Sequence, residues 1–264
     1  MSSSRMPLFL LALVLSAVPV PALAWSDNFN GGFHNAWTFG FTDDAGDPPS
    51  AGIQSAAVVS NSLQITDSVA AVPDGGGGSS VAYGYVNQTF QTTSVRGWVN
   101  VGSNPAPLNQ LGLAARGDPN TGSAYLFEID FDSGMPVLLR SDSFPGNPAI
   151  LDSGTSGSLQ AGSPYWLEFD LVGSVITGRV YAAPGGTLLD TLSANDSTYS
   201  EGVAGVVLRG YDIANALLGA PLRGTFDDVS ALPEPSSTAL LAAGSALLGA
   251  LARGRAAQRR RSLP

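Results

Sequence analysis

The chain has 264 residues, with 21 carboxylates against 12 arginines, no lysine and a net charge of −9. It has no cysteine, which excludes thiol catalysis, iron–sulfur clusters and cysteine zinc sites. So acidic a chain also argues against nucleic acid or an anionic membrane as partner, since both require clustered cations.

The first segment is built for export. Arg5 supplies a positive start, Leu8 to Val20 is apolar except at Ser16 and Pro19, and Ala22-Leu23-Ala24 is a small-x-small cleavage site. This order predicts a secretory signal peptide over residues 1–24, cut before Trp25. Residues 25–232 then form a body of 208 residues, enough for one domain with a substantial core. Its six arginines face twenty carboxylates, leaving it at −14. With no disulfide available, stability must come from the core, with or without a structural metal.

Gly, Pro, Ser, Thr, Asn and Asp punctuate this body every eight to twelve residues, and the intervals alternate or run apolar. That pattern predicts an all-β, two-sheet antiparallel sandwich of about a dozen strands. Strands are expected at 53–59, 62–66, 81–91, 95–101, 111–116, 124–132, 136–140, 165–172, 175–181, 187–192, 203–209 and 224–231. Only Ile213–Leu218 reads as a helical turn or two. The clearest strand is Tyr165 to Val172, with Tyr165, Leu167, Phe169 and Leu171 on one face and Trp166, Glu168 and Asp170 on the other.

In Ala124 to Asp132, alternation sets Tyr125, Phe127, Ile129 and Phe131 against Leu126, Glu128, Asp130 and Asp132. Three carboxylates on one face can raise one another's pKa. The bland alternative is a solvated strand face in an acidic protein, and Glu168-Phe169-Asp170 repeats the pattern. Glu128 and Asp132 are expected to be partly exposed and too far apart for retaining chemistry, which needs carboxyls about 5–5.5 Å apart.

Asp27 with Asp227 and Asp228 offers oxygen ligands that suit calcium, as does Asp43-Asp44-Ala45-Gly46-Asp47, although that loop lacks the spacing of a calcium loop. Trp98, Tyr83, Tyr85, Tyr125, Trp166 and Tyr181 are candidates to stack on sugar rings, or are core and edge residues favoured in strands anyway. The glycines from Gly75 to Gly78 have no lysine and no following helix, so they read as a flexible loop rather than a phosphate cradle. His34 is the sole histidine and gives no support to a His-rich metal site.

The last segment, 233–264, begins Pro233-Glu234-Pro235, continues as an uncharged apolar run over 238–252, and ends with Arg253, Arg255, Arg259, Arg260 and Arg261. Fifteen helical residues span roughly 22 Å, short of the roughly 30 Å hydrocarbon core, so flanking residues or local thinning must supply the rest. The arginines should stay cytoplasmic and leave the body outside.

This tail resembles the PEP-CTERM sorting signal. The resemblance implies a transient membrane helix over 238–252, an Arg-rich stop over 253–264, and an exosortase-type membrane protease as processing partner. It also implies final delivery to the cell surface or extracellular matrix. The body resembles concanavalin A-like (laminin G-like) domains in its opening Asp27-Asn28-Phe29-Asn30-Gly31-Gly32 with Trp37. Its paired strands and closing Gly224-Thr225-Phe226-Asp227-Asp228-Val229 agree. That likeness implies a jelly roll whose first and last strands meet, with a structural calcium at Asp27 and Asp228, and a glycan-binding or matrix role. Glu128-Ile129-Asp130-Phe131-Asp132 is similar to the Glu-x-Asp-x-Glu strand of the laminarinase and lichenase glycosidases. There Glu128 would be nucleophile, Asp130 its helper and Asp132 the acid/base, one methylene shorter than the family's glutamate.

Overall fold

The structure is a computed structural model that describes residues 24–43, 54–67, 80–102, 109–144, 146–210 and 222–233. Among these residues every regular element is a strand. In chain order they are β1 (Trp25–Asp27), β2 (Trp37–Asp43), β3 (Gln54–Val59), β4 (Ser62–Asp67) and β5 (Ser80–Phe90). Then come β6 (Thr93–Asn100), β7 (Asn109–Asp118), β8 (Ser123–Asp130), β9 (Met135–Ser141) and β10 (Ala149–Ser153). The last are β11 (Tyr165–Val172), β12 (Val175–Tyr181), β13 (Leu188–Asn195), β14 (Gly202–Gly210) and β15 (Leu222–Pro233).

They build two antiparallel sheets. Sheet A runs β13-β12-β11-β6-β15-β4-β3, with β1 beside β15, and sheet B runs β10-β9-β8-β7-β14-β5-β2. The expected end-to-end closure is present: Trp25 pairs with Ala231, and Asp27 with Val229. The hairpins β8–β9 and β11–β12 also form as the alternation predicts. The two-residue corner between Phe90 and Thr93 carries the chain from sheet B into sheet A.

The core lies between the sheets. Leu167, Phe169 and Leu171 of β11 meet Tyr125, Phe127 and Ile129 of β8, and all six are fully buried. Large residues on one sheet sit over small ones on the other. Gly178 of β12 lies under the Phe127 ring, so close that a Cβ there would stand 2.4 Å from Phe127 Cδ2. Gly224 of β15 makes the same room for Leu111, with 2.3 Å to Cδ1.

Fifteen strands form where about a dozen were expected. Short β1 pairs with β15 alone, and β10 is a sheet edge whose Ile150 is 68% exposed, so neither carries a strong apolar pattern. In β2 the alternation of Trp37, Phe39 and Phe41 was there to read, but Gly40 and the flanking turn residues interrupt it. β15 continues through Pro233, which pairs with Thr93, so the first residue of the proline motif belongs to the sheet. The signal peptide, the Ile213–Leu218 turn, the 238–252 helix and the arginine tail lie outside the described residues. Among the described residues no helix is long and apolar enough to cross a membrane.

Candidate functional site

The carboxylate strand departs from its expected geometry. β8 ends at Asp130, and the chain then turns, so Glu128 and Asp130 share a strand face while Asp132 sits exposed in the turn. Asp130 caps that turn: its Oδ1 accepts from the Asp132 backbone N–H at 3.0 Å and its Oδ2 from the Ser133 hydroxyl at 2.7 Å. The three carboxylates therefore do not line one surface. The turn at Phe131–Gly134, where Gly134 takes φ +63°, ends the alternation.

Glu128 was expected to be partly exposed, and it is fully buried. The reason lies on the outer face of sheet B, the face turned away from the main core. Val81, Leu126, Val137, Leu139 and Val207 form a second apolar cluster there, covered in part by Tyr83, Met135 and Phe144. Register places Val207, Gly112, Glu128 and Val137 in one cross-strand row. Glu128 Oε2 accepts from Arg209 Nη1 at 3.2 Å, and both side chains are buried. Its Oε1 has no hydrogen-bond partner among the described residues. Desolvation, only partly offset by the Arg209 charge and reinforced by Asp130, pushes the Glu128 carboxyl up to about 7. The alternation of β8 gives no sign of Arg209, although a lone arginine in Val-Ala-Gly-Val-Val-Leu-Arg-Gly marks a buried cation in need of an anion.

Asp27 does not present itself to calcium. Its Oδ1 accepts from the Phe29 N–H at 2.9 Å and lies 3.0 Å from His34 Nδ1. Its Oδ2 accepts from the His34 and Asn35 N–H groups at 2.9 and 3.2 Å and from Trp37 Nε1 at 2.9 Å. These donors occupy the lone pairs a cation would need, and the carboxylate is 1% exposed. Burial alone would raise its pKa; the bonds from His34, Phe29 and Trp37 outweigh that and hold it below the ordinary value. Asp228 is exposed at a bulge with φ +48°, and it lines an open depression with Ser26, Asp27, Asn28, His34 and Ser230. Among the described residues no group of three or more acidic or histidine side chains is arranged to hold a metal. The pair does not fit the ion, and Asp27 instead fastens the opening loop to β1.

The aromatics divide by face. Tyr125 is core, its hydroxyl donating to Asp196 at 2.6 Å. Tyr83 and Tyr85 stand on the outer face of sheet B with Phe144, beside a small apolar hollow floored by Ala114 and Gly205. Trp98, Trp166 and Tyr181 stand on the outer face of sheet A. There Trp98 pairs with Trp166, and Trp166 with Tyr181, so three adjacent strands place them side by side. The two indoles are 5.8 Å apart and edge to face. Next to them, Glu168 lies 3.9 Å from Arg96 and accepts from Trp166 Nε1 at 3.3 Å, while Asp170 pairs with Arg179.

No family model matches the chain, and no curated protein matches it. Among solved structures, it is similar to a glycosidic hydrolase at 10% identity and a TM-score of 0.51, covering 82% of this chain and 98% of that one. It is similar to the Bacillus licheniformis β-glucanase at 12% identity and a TM-score of 0.50, covering 80% and 98%. The fold is the concanavalin A-like jelly roll. At such identities the likeness speaks to the fold alone. A carbohydrate-binding module from Bacillus subtilis also matches, at 14% identity and a TM-score of 0.49 over 75% of this chain and 95% of that one.

Proposed function

We propose that this concanavalin A-like domain is a non-catalytic glycan-binding module of an exported bacterial surface or matrix protein. The observation that carries the reading is the sealing of Glu128. The carboxylate that a retaining mechanism would use as nucleophile is buried against Arg209, and Asp132 is in a turn beyond the strand. Attack on a sugar and protonation of the leaving oxygen both require accessible carboxyls facing one cleft. The same molecule presents half-buried tryptophans on an open sheet face, and two of its structural neighbours are, by their names, a glucanase and a glycosidic hydrolase.

The ends of the chain give the address. The signal peptide over 1–24, Pro233-Glu234-Pro235, the apolar run 238–252 and the arginine stop support export, a transient membrane anchor and release by an exosortase-type protease. These features rest on the sequence pattern.

The full-length chain in mild detergent, offered β-1,3- and β-1,4-glucans, should release no reducing sugar yet be retarded by at least one polysaccharide in a native gel. Turnover that disappears in Glu128→Gln would replace this reading with the alternative, a retaining glycoside hydrolase using Glu128 and Asp132.

A further inference from the structure

We propose that the glycan is bound on the outer face of sheet A, and that it is an uncharged polysaccharide lying across the strands along the row Trp98, Trp166, Tyr181 and Leu188. This inference rests on the glycan-binding reading and names its surface and ligand class.

Register builds the row. Trp98 of β6 pairs with Trp166 of β11, Trp166 with Tyr181 of β12, and Tyr181 with Leu188 of β13. Paired residues of neighbouring strands point to the same face, and their inward neighbours Val99, Leu167, Tyr165 and Val180 are buried in the core. Trp98, Trp166 and Tyr181 therefore share the outer face, and Leu188 follows Tyr181 beyond a register shift between Val180 and Tyr181. Neighbouring strands lie about 4.8 Å apart, so the row is roughly 14 Å long. That length suits an oligosaccharide segment better than a single sugar.

The two outer faces differ in what they leave open. On sheet B the outward residues Leu126, Glu128 and Val207 are fully buried. On sheet A, Trp98, Trp166 and Tyr181 are half-buried and Leu188 is 49% exposed. The indoles meet edge to face at 76°, the packing aromatic pairs prefer. Half-buried aromatic rings give an apolar surface on which the C–H face of a pyranose can rest.

The flanking row supplies the polar half of the match. Arg96, Glu168, Arg179 and Thr191 follow one another across β6, β11, β12 and β13. The Arg96 and Arg179 side chains are 36% and 33% exposed, and a guanidinium carries five N–H donors, more than their ion pairs use, which leaves donors for sugar hydroxyls. The apolar strip is one residue wide and edged by ion pairs. A protein partner would need about 800 Å² of matched surface, far more than this strip provides.

Charge selects the ligand class. Arg96 and Arg179 are already offset by Glu168 and Asp170. At the other end of the row, Asp227 pairs across from Trp98 and Asp228 follows it. With Arg223 on the same face of β15, three arginines stand against Glu168, Asp170, Asp227 and Asp228, so the face is net negative by one on a body that is itself at −14. A uronate polymer would be repelled, and a neutral chain would not.

The test uses full-length chain in mild detergent and native gels containing barley β-glucan, hydroxyethylcellulose or galactomannan, against gels containing alginate or polygalacturonate. Trp166→Ala and Trp98→Ala should each weaken retardation by a neutral polymer about tenfold or more, as loss of a buried tryptophan anchor does. Trp166→Phe should keep much of it, and Tyr85→Ala on sheet B should leave it unchanged. Unchanged far-ultraviolet circular dichroism would show that the alanine variants are folded. Binding lost in Tyr85→Ala and kept in Trp166→Ala would overturn the surface while leaving the glycan-binding reading in place. Trp166-dependent binding of alginate or polygalacturonate alone would overturn the ligand class. Retardation by none of a wider set of polysaccharides would remove the reading and this inference with it.

Discussion

At Glu128, burial and the Arg209 charge pull in opposite directions, and burial wins, so the folded carboxyl titrates at about 7. The unfolded chain releases the same proton near pH 4.3. Native protein therefore binds more protons between those values, and the contribution to stability is greatest below about pH 4.3 and falls as pH rises to about 7. The size is of the order of 3 kcal/mol. Glu128→Gln should flatten this part of the profile, read as urea midpoints between pH 4.5 and 7.5; parallel profiles for the two proteins would contradict it. Asp27 has the opposite sign. Its depressed pKa gives stability that is present above about pH 3.9 and lost as pH falls through the folded value. Asp27→Asn points an amide at donors that now lack an acceptor, and should cost about 3 kcal/mol or more. Chelator should leave the wild-type melting curve where it is, because Asp27 has no oxygen to give a cation. A chelator-induced drop that Asp228→Ala removes would restore the calcium site.

β12, second from one edge of sheet A, works through one missing side chain. Gly178 faces the core and receives the Phe127 ring, which also packs 5.9 Å from Phe169. Gly178→Ala should push the ring off its place and destabilise the fold by about 1–3 kcal/mol, seen as a lower urea midpoint. Combining it with Phe127→Leu should cost less than the sum of the two changes, since the smaller side chain removes the clash. Strict additivity would mean that the ring does not depend on Gly178. The same element explains part of the sandwich's register. A slip by one residue would turn Ile176, Gly178 and Val180 outward and bring Thr177 and Arg179 against Phe127.

For the molecule as a whole, the end of β15 matters. The ladder includes Pro233, so the first residue of the proline motif is itself part of the sheet. Replacing Pro233-Glu234-Pro235 with alanines should leave export intact, because the proposed signal peptide over 1–24 is untouched, and should hold uncut protein in the inner membrane. Fractionation with intact-mass measurement reads both outcomes. A mature mass and location unchanged by the substitution would exclude the sorting role.

The sequence by itself determined the all-β class, most strands to within two or three residues, and the meeting of the first and last strands. The class and the strands follow from period-two alternation and turn residues, which are local and survive in one dimension; the meeting of the end strands was implied only by the resemblance to concanavalin A-like domains. In β11 the alternation of Leu167 and Phe169 with Glu168 and Asp170 was enough to assign both faces. It was not enough in β8, where Leu126 already sat among the polar positions as a sign that the second face is also covered. Whether Glu128 is open or sealed depends on Arg209, 81 residues away along the chain, and on Val137 and Val207 beside it. The employment of Asp27 depends on a loop folding back so that five donors converge. The row from Trp98 to Tyr181 spans 83 positions of sequence and exists only because three strands pair in one register. Strand identity is set by near neighbours along the chain, whereas burial, partner and shared face are set by contacts between distant segments, and only the tertiary structure brings those together.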